Sequence, residues 1–484
     1  MTSNTPLWTA AALEAVTGGT LHGAVGTITG ASIDTRTLAP GDLFFAIRGE
    51  ARDGHDFVRA ALDKGAGAAV VAAGRAAGFD GPVLAVPGSG TDPVLDAMTR
   101  LGRAARARTA AQVVAVTGSV GKTGTKEALR HVLAAQGATH ASVASYNNHW
   151  GVPLTLARMP ADTRFGVFEV GMNHAREIVP LAAQVRPDVA LVTTVEPVHS
   201  EHFASLSAIA DAKGEIFSGL RTGGVAVINR DNPSFPRLHA HALASAAGRI
   251  VTFGEHEEAD VRARRIVLRP DLSVVDAVVM GRPVTYQLGT PGRHTALNSL
   301  GVMAVVHSLG ADLARAALSL AALRPPVGRG ERTALHLEDG AAFLVDESYN
   351  ANPASVRAAL AALAAIETGP RGRRIAVLGD MLELGAAGAA HHRDLAAAVA
   401  DNAVDLVFTA GTLMGHLFEA LPVSRRGLAA GTAADLIAPL EKILRPGDAV
   451  MVKGSNGIRM GRIVEALKAR YASPPARRDA SAAP

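Results

Sequence analysis

No cysteine occurs among the 484 residues of this chain. That excludes disulfides, thiolate metal sites and a cysteine nucleophile, and it suits a reducing compartment, so a cytoplasmic location is expected. Aromatic residues make up only 4%, so the cores must be assembled from Ala, Val and Leu. The first residues, MTSNTPLWTAAALEAVTGG, lack a basic start followed by an apolar core, and no secretory leader is expected. No uncharged apolar run reaches membrane-spanning length, so membrane insertion is not expected. An excess of one charge is also missing: 48 Lys and Arg stand against 44 Asp and Glu, a formal net charge of +4. Arginines are scattered, with clusters such as Arg371, Arg373 and Arg374, and no basic stripe is interleaved with aromatics. A nucleic-acid partner is therefore not expected, whereas a small positive bias suits phosphate-bearing small substrates. A monomer is the expectation for the chain.

What is present points to several domains, because 484 residues exceed what one core usually supports. Residues 1–104 alternate short apolar runs (43–47, 68–71, 83–86) with turns and read as a small α/β N-terminal domain. The Arg-rich segment RLGRAARARTA, a helix or linker, leads into 105–325. There the runs 112–116, 166–170, 189–193 and 224–228 read as buried parallel strands of a central P-loop ATPase domain with a mostly parallel sheet. The stretch 260–288 alternates and is expected to form a small antiparallel insert. After Pro325 and Pro326 the rhythm restarts at 342–346, 374–378, 404–409 and 449–453, separated by Ala-rich helical stretches. This is a doubly wound, Rossmann-like pattern over 326–472. Residues 473–484, SPPARRDASAAP, are a disordered tail by composition. The expected fold class is α/β in three domains.

The chemistry starts at 111–127, AQVVAVTGSVGKTGTKE. An apolar strand breaks into Thr117, Gly118, Ser119, Val120 and Gly121, and Lys122 and Thr123 open a helix. Backbone N–H groups at a helix N-terminus make a cradle for phosphate oxygens. Lys122 would neutralise β/γ-phosphates and the Thr123 hydroxyl would hold Mg²⁺. The strict GxxxxGK[ST] pattern is not met, since Val116 occupies the place of its first Gly. Partner groups are expected at the ends of the following strands. Glu169 sits inside an apolar run in VFEVGMNH, costly unless paired or metal-bound. His199 and His202 in EPVHSEHF have H-x-x-H spacing, but a third zinc ligand is missing. Lys213, in AIADAKGEIF, reads on its own as a solvated helix lysine. In GRHTALNSLGV, His294 and Asn298 fall one helical turn apart and can face one ligand. In FLVDESYNANP, Asp346, Tyr349, Asn350 and Asn352 close a strand as a ligand loop, with Asp346 and the Asp380 of VLGDMLELG equally suited to capping turns. From these residues alone, a switch-type NTPase stays open beside an enzyme.

TGSVGKT, Glu169 in FEVGMNH, His199, the AKGEIF lysine, GRHTALN and DESYNANP together resemble the Mur ligases, across nearly the whole chain. YNNHWGVPLTL, AKGEIFSGL, DESYNANPAS and GDMLELG are similar to the branch that adds a dipeptide, and SIDTRTLAPGDLFFAIRGEARDGHDF to its uridine-nucleotide domain. The resemblance implies ATP-dependent amide formation through an acyl phosphate in peptidoglycan precursor synthesis, with UDP-N-acetylmuramoyl-tripeptide and D-alanyl-D-alanine as partners. A sister ligase adding a single amino acid is the alternative. It implies ATP and Mg²⁺ as cofactors, with Thr123, Glu169, His199 and a carbamylated Lys213 around the metal. Lys122, Glu169, His199 and Lys213 would be catalytic. His294 and Asn298 would hold adenine, and Arg329 and Asp346 would reach the nucleotide from the C-terminal domain. Ser32, Asp34, Arg36 and Phe45 would bind the UDP end, Asn147 and Asn148 the muramoyl-peptide side, and Tyr349, Asn350 and Asn352 the incoming dipeptide.

Overall fold

Short apolar runs separated by glycine turns condense into three sheets in the computed structural model of the protein, which describes residues 6–49, 51–88, 90–143, 145–197, 201–269 and 271–471. The tail 473–484 lies outside them. In the first sheet, Gly30–Ser32, Asp42–Phe45, Ala68–Ala72 and Val83–Val86 run parallel, and Thr20–His22 closes the edge antiparallel to Val83–Val86. The Arg-rich segment belongs to one long helix, Pro93–Arg108, opened by an Asp92 cap and Pro at its first position. Its Val94, Ala97, Met98, Leu101 and Ala105 recur at helical spacing and share one core with Leu43, Phe45 and Leu84 of the first sheet. Leu154 and Ala157 of helix Gly151–Ala157 complete that core. The Trp8 indole N–H also donates to Ala157 O at 2.9 Å, so the first sheet is seated on the second unit by packing as well as by the chain.

The second sheet has nine strands. From one edge run Thr139–Ala141, Phe165–Glu169, Gln112–Thr117, Val189–Val192, Gly224–Asn229, Ala247–Gly254 and Val261–Leu268, all parallel. Ser273–Val279 and Arg282–Leu288 then follow antiparallel. The stretch expected as a small antiparallel insert is thus a continuation of this sheet. Val261 pairs with Phe253, and alternate residues Val275, Ala277 and Val279 are buried in the same core as helix Arg293–Ser308. Strand Gln112–Thr117 lies between Phe165–Glu169 and Val189–Val192, later in sequence on both sides, so chain direction switches here and a crevice opens at the strand ends.

The third sheet orders Glu331–Leu337, Gly340–Glu347, Ala449–Lys453, Arg374–Gly379, Leu406–Ala410 and Arg426–Ala430. The first two form a hairpin and the rest run parallel. Behind this sheet, His392 is fully buried. Its Nδ1–H donates to Gly388 O at 2.7 Å and its Nε2 accepts Met381 N–H at 2.9 Å, which needs the neutral ring. Burial lowers its pKa, outweighing the carbonyl bond. The unfolded chain takes up this proton near pH 6.5 and the folded chain only at lower pH, so stability present above about 6.5 is lost as pH falls toward the folded value. The thermal midpoint is expected to fall between pH 7 and pH 5, with a flatter profile in His392→Gln. Equal slopes for the two proteins in parallel melts would remove His392 from this account.

Candidate active site

At the crevice, strand Gln112–Thr117 gives way to loop 118–121 and then helix Lys122–Ala134. Gly118 and Gly121 have φ of 147° and 84°, the left-handed region that side chains avoid. A Cβ would drive Gly118 into the Thr193 hydroxyl and Gly121 into the Asn298 carboxamide. The loop is held by the neighbouring strand end. Ser119 N–H donates to Thr194 O at 2.8 Å, the Ser119 hydroxyl to Glu196 O at 3.0 Å, and the Thr193 hydroxyl to Val120 O at 2.6 Å. No side chain among the described residues caps the helix, so its first N–H groups are left for an anion. The half-buried Lys122 folds back over the loop and donates to Gly118 O at 2.7 Å. Burial lowers its pKa, the Arg329 charge adds to this, and Glu169 opposes it. Gly121→Ala is expected to weaken ATP binding about tenfold, since left-handed backbone costs a side chain about 1–2 kcal/mol. Calorimetry with a non-hydrolysable ATP analogue would test it, and an unchanged Kd would contradict it.

Three further groups converge on this loop. Glu169 closes its strand only 1% exposed. Its Oε1 accepts Asn147 Nδ2 at 2.7 Å, and its Oε2 has no partner among the described residues. A half-satisfied buried carboxylate implies a missing cation or donor. The Thr123 hydroxyl, also buried, lies 3.4 Å from the Ser145 hydroxyl. Lys213, near the end of helix Leu206–Gly214, is 2% exposed rather than the solvated lysine its sequence context suggests. Burial first, and the Lys122 charge second, push its pKa well below the usual lysine value. Both effects favour the uncharged amine over the ammonium. His199 lies outside the described residues. His202 is exposed, its ring 4.3 Å from that of His174. Among the described residues no group of three or more His, Cys, Asp or Glu could hold a metal.

Across the cleft, helix Arg293–Ser308 brings Asn298 against Gly121, and the exposed His294 stands one turn earlier. The protein mass around His294 lowers its pKa; Glu347 and Lys453, from the third sheet, act on it with opposite signs. The Arg329 guanidinium stacks 4.3 Å from the Tyr349 ring centroid and within electrostatic reach of Lys122. Asp346 is buried and accepts Ser348 N–H and hydroxyl at 3.1 and 2.6 Å, the turn role that its sequence context also allowed. Asp380 does the same for Leu413 and Met414 N–H, at 3.2 and 2.6 Å. Asn352 Oδ1 caps helix Pro353–Ala364 through Ser355 N–H at 2.8 Å, which ties up the acceptor expected to meet a ligand.

Profiles of three Mur ligase domains match the chain: the Mur ligase family catalytic domain over 27–109, the Mur ligase middle domain over 116–306 and the Mur ligase glutamate ligase domain over 328–456. The UDP-N-acetylmuramoyl-tripeptide–D-alanyl-D-alanine ligase of Escherichia coli is 35% identical over 459 residues, covering 94% of this chain and 97% of that protein. The chain belongs to the Mur ligase family. Its structure is similar to MurF of Acinetobacter baumannii, with a TM-score of 0.81 at 27% identity over 95% of this chain and 98% of the other. It is also similar to MurF ligase of Thermotoga maritima in complex with ADP, with a TM-score of 0.73 at 25% identity over 92% and 98%.

In this Mur ligase the residues expected at the uridine-nucleotide end separate. Ser32 is buried and exchanges bonds with Asp34, its hydroxyl donating to Asp34 O at 3.1 Å. Asp34 pairs with the exposed Arg36 guanidinium at 2.6 Å. Phe45 is 1% exposed inside the core with Leu43 and Leu84, so its ring is not presented to a ligand; packing of the parallel sheet claims it. Asn148 Oδ1 accepts Gly151 N–H at 2.9 Å at the start of helix Gly151–Ala157, whereas Asn147 reaches Glu169. Lys453 of this Mur ligase lies in none of the sequence motifs named above. It is 3% exposed, and its Nζ donates to Asn350 O at 2.9 Å and to Glu347 Oε2 at 3.3 Å. The available signal was a charge closing the apolar run AVMVK before Gly-Ser-Asn-Gly.

Proposed function

We propose that this Mur ligase joins D-alanyl-D-alanine to UDP-N-acetylmuramoyl-tripeptide at the expense of ATP, a step of peptidoglycan precursor synthesis. The observation that carries the reading is one crevice holding a phosphate loop before an uncapped helix, Lys122, a buried Glu169 half-satisfied among the described residues, and a buried Lys213. The terminal carboxylate of the tripeptide attacks the γ-phosphorus of ATP, the bond to ADP breaks, and an acyl phosphate forms. The donor amine then attacks the acyl carbon, the bond to phosphate breaks, and a proton leaves the new amide nitrogen. Lys122 and the N–H groups of loop 118–121 hold the phosphates and offset charge that builds during transfer. His294 and Asn298 flank the nucleotide base, and Arg329 and Asp346 reach the nucleotide from the third sheet's side. Tyr349 and Asn350 place the dipeptide. Ser32, Asp34 and Arg36 are assigned to the UDP end, and Asn147 and Asn148 to the muramoyl-peptide side. Closure of the third unit over the crevice would exclude water from the acyl phosphate.

The donors that the structure places suit Mg²⁺: the Thr123 hydroxyl, the Glu169 Oε2 that has no partner among the described residues, and a carbamate formed when neutral Lys213 Nζ attacks CO₂ and loses a proton; the family resemblance adds His199. Bound there, the cation would neutralise phosphate charge. Carbamylation turns an amine that repels a metal into a carboxylate that binds one. No helix among the described residues is long and apolar enough to cross a membrane. We place the enzyme in the cytoplasm, where ATP is found, and infer a monomer.

The test is phosphate release from ATP and Mg²⁺ with UDP-muramoyl-tripeptide, with and without D-alanyl-D-alanine. One new amide per phosphate, with both substrates required, is the expected result. Release without acceptor would make the chain a switch-type NTPase, and release supported only by a single amino acid would make it a sister ligase.

A further inference from the structure

The loops after three neighbouring strands of the third sheet, Gly340–Glu347, Arg374–Gly379 and Ala449–Lys453, emerge together at the strands' C-terminal ends, where open parallel sheets bind ligands. One side chain touches all three loops. Ser455 is 4% exposed. Its hydroxyl accepts Leu382 N–H at 2.9 Å and donates to Ala351 O at 3.3 Å, while its own N–H donates to Asp380 O at 3.1 Å. Two residues earlier, Lys453 Nζ holds Asn350 O.

The middle loop is pinned from other sides as well. Met381 N–H goes to His392, and the Asp380 carboxylate holds Leu413 and Met414 N–H. Glu383 is in the left-handed region at φ 63°, a conformation that a non-glycine residue keeps only where its surroundings impose it. Leu382 is nevertheless left 40% exposed, an apolar side chain on a tightly held loop. The same loop abuts the second unit, since a Cβ on Gly385 would lie 3.3 Å from Glu201 Cα.

We infer that Ser455 is a positioning residue for the amine donor: through its hydroxyl and N–H it fixes loops 349–352, 380–384 and 454–456 into one cup that receives a small dipeptide with methyl side chains. The inference rests on the reading above that the Tyr349–Asn350 loop takes the donor. Ser455 is too buried to be the donor's main contact, so it acts through Leu382, Ala351 and Asp380. Its loss should loosen the cup without touching the phosphate loop or the uridine-nucleotide end.

The experiment is steady-state kinetics of the full chain with Ser455→Ala and Ser455→Cys, varying each substrate in turn. In Ser455→Ala the KM for D-alanyl-D-alanine is expected to rise about tenfold, with kcat and the KM values for ATP and UDP-muramoyl-tripeptide nearly unchanged, because one acceptor and one donor are withdrawn from the cup alone. The cysteine, a weak donor and acceptor of similar size, should give an intermediate donor KM and carries the test if the alanine protein does not fold. An unchanged donor KM, or three KM values rising together, would overturn the inference. If the unmodified chain turns over only with a different amine, the functional reading fails separately, and the KM for that amine decides the role of Ser455.

Discussion

Lys213→Ala is expected to abolish ligation to within background, a loss of at least about 10³-fold, or about 4 kcal/mol of transition-state stabilisation. The wild-type Lys213 amine is buried beside Lys122, and both effects favour its neutral form. A neutral amine adds CO₂, whereas an ammonium cannot, and the product is a second carboxylate in the crevice that holds Glu169. Two readouts separate this from simple loss of a lysine. The wild-type enzyme should lose activity in CO₂-depleted buffer and regain it with bicarbonate. Activity of the alanine protein should return in part with a short carboxylate such as acetate, which can occupy the vacated volume. Full activity of Lys213→Ala, or indifference of the wild type to bicarbonate, would end the carbamate reading.

Lys122→Ala should remove phosphate release by a comparable factor, on the order of 10³-fold, because a preorganised cation over the phosphates acts where charge develops in transfer. Lys122 is already bent over the loop onto Gly118 O, so little reorganisation is needed when phosphates arrive. Burial lowers its pKa, and a bound polyanion would favour its charged form. Coupled phosphate release and mass spectrometry of the amide product measure the loss. Turnover within tenfold of wild type would mean that ATP binds elsewhere. Because the Lys122 charge also lowers the pKa of Lys213, its removal should raise the bicarbonate requirement of any residual activity.

Much of this molecule is local and was therefore legible in order along the chain. Period-two and continuous apolar runs give strands wherever both faces are covered, as at Val83–Val86 and Ala449–Lys453, whose limits agree with the runs read from the sequence. The phosphate loop is equally local, since Gly118 and Gly121 are needed for backbone angles at those positions whatever the rest of the chain does. Capping could be suspected but not decided, because Asp346, Asn352 and Asp380 carry side chains equally suited to turns and ligands.

The remainder depended on distance in space. The apolar character of Phe45 suited a ligand pocket and a core alike, and only the packing of helix Pro93–Arg108 and Leu154 over the first sheet assigned it to the core. Antiparallel strands 261–288 could have stood alone; the pairing of Val261 with Phe253 joined them to the ATP-binding sheet. Lys213 looks like a solvated lysine in one dimension, and burial, which depends on elements far away in sequence, lowered its pKa and set Lys453 against Asn350 and Glu347. Sequence alone thus determined the three α/β units and the phosphate cradle, because backbone preference and hydrophobic period are short-range properties. Which side chains are buried, and which stand against one another across the crevice, only the tertiary structure decided, because desolvation and Coulomb interaction depend on neighbours that the chain brings together last.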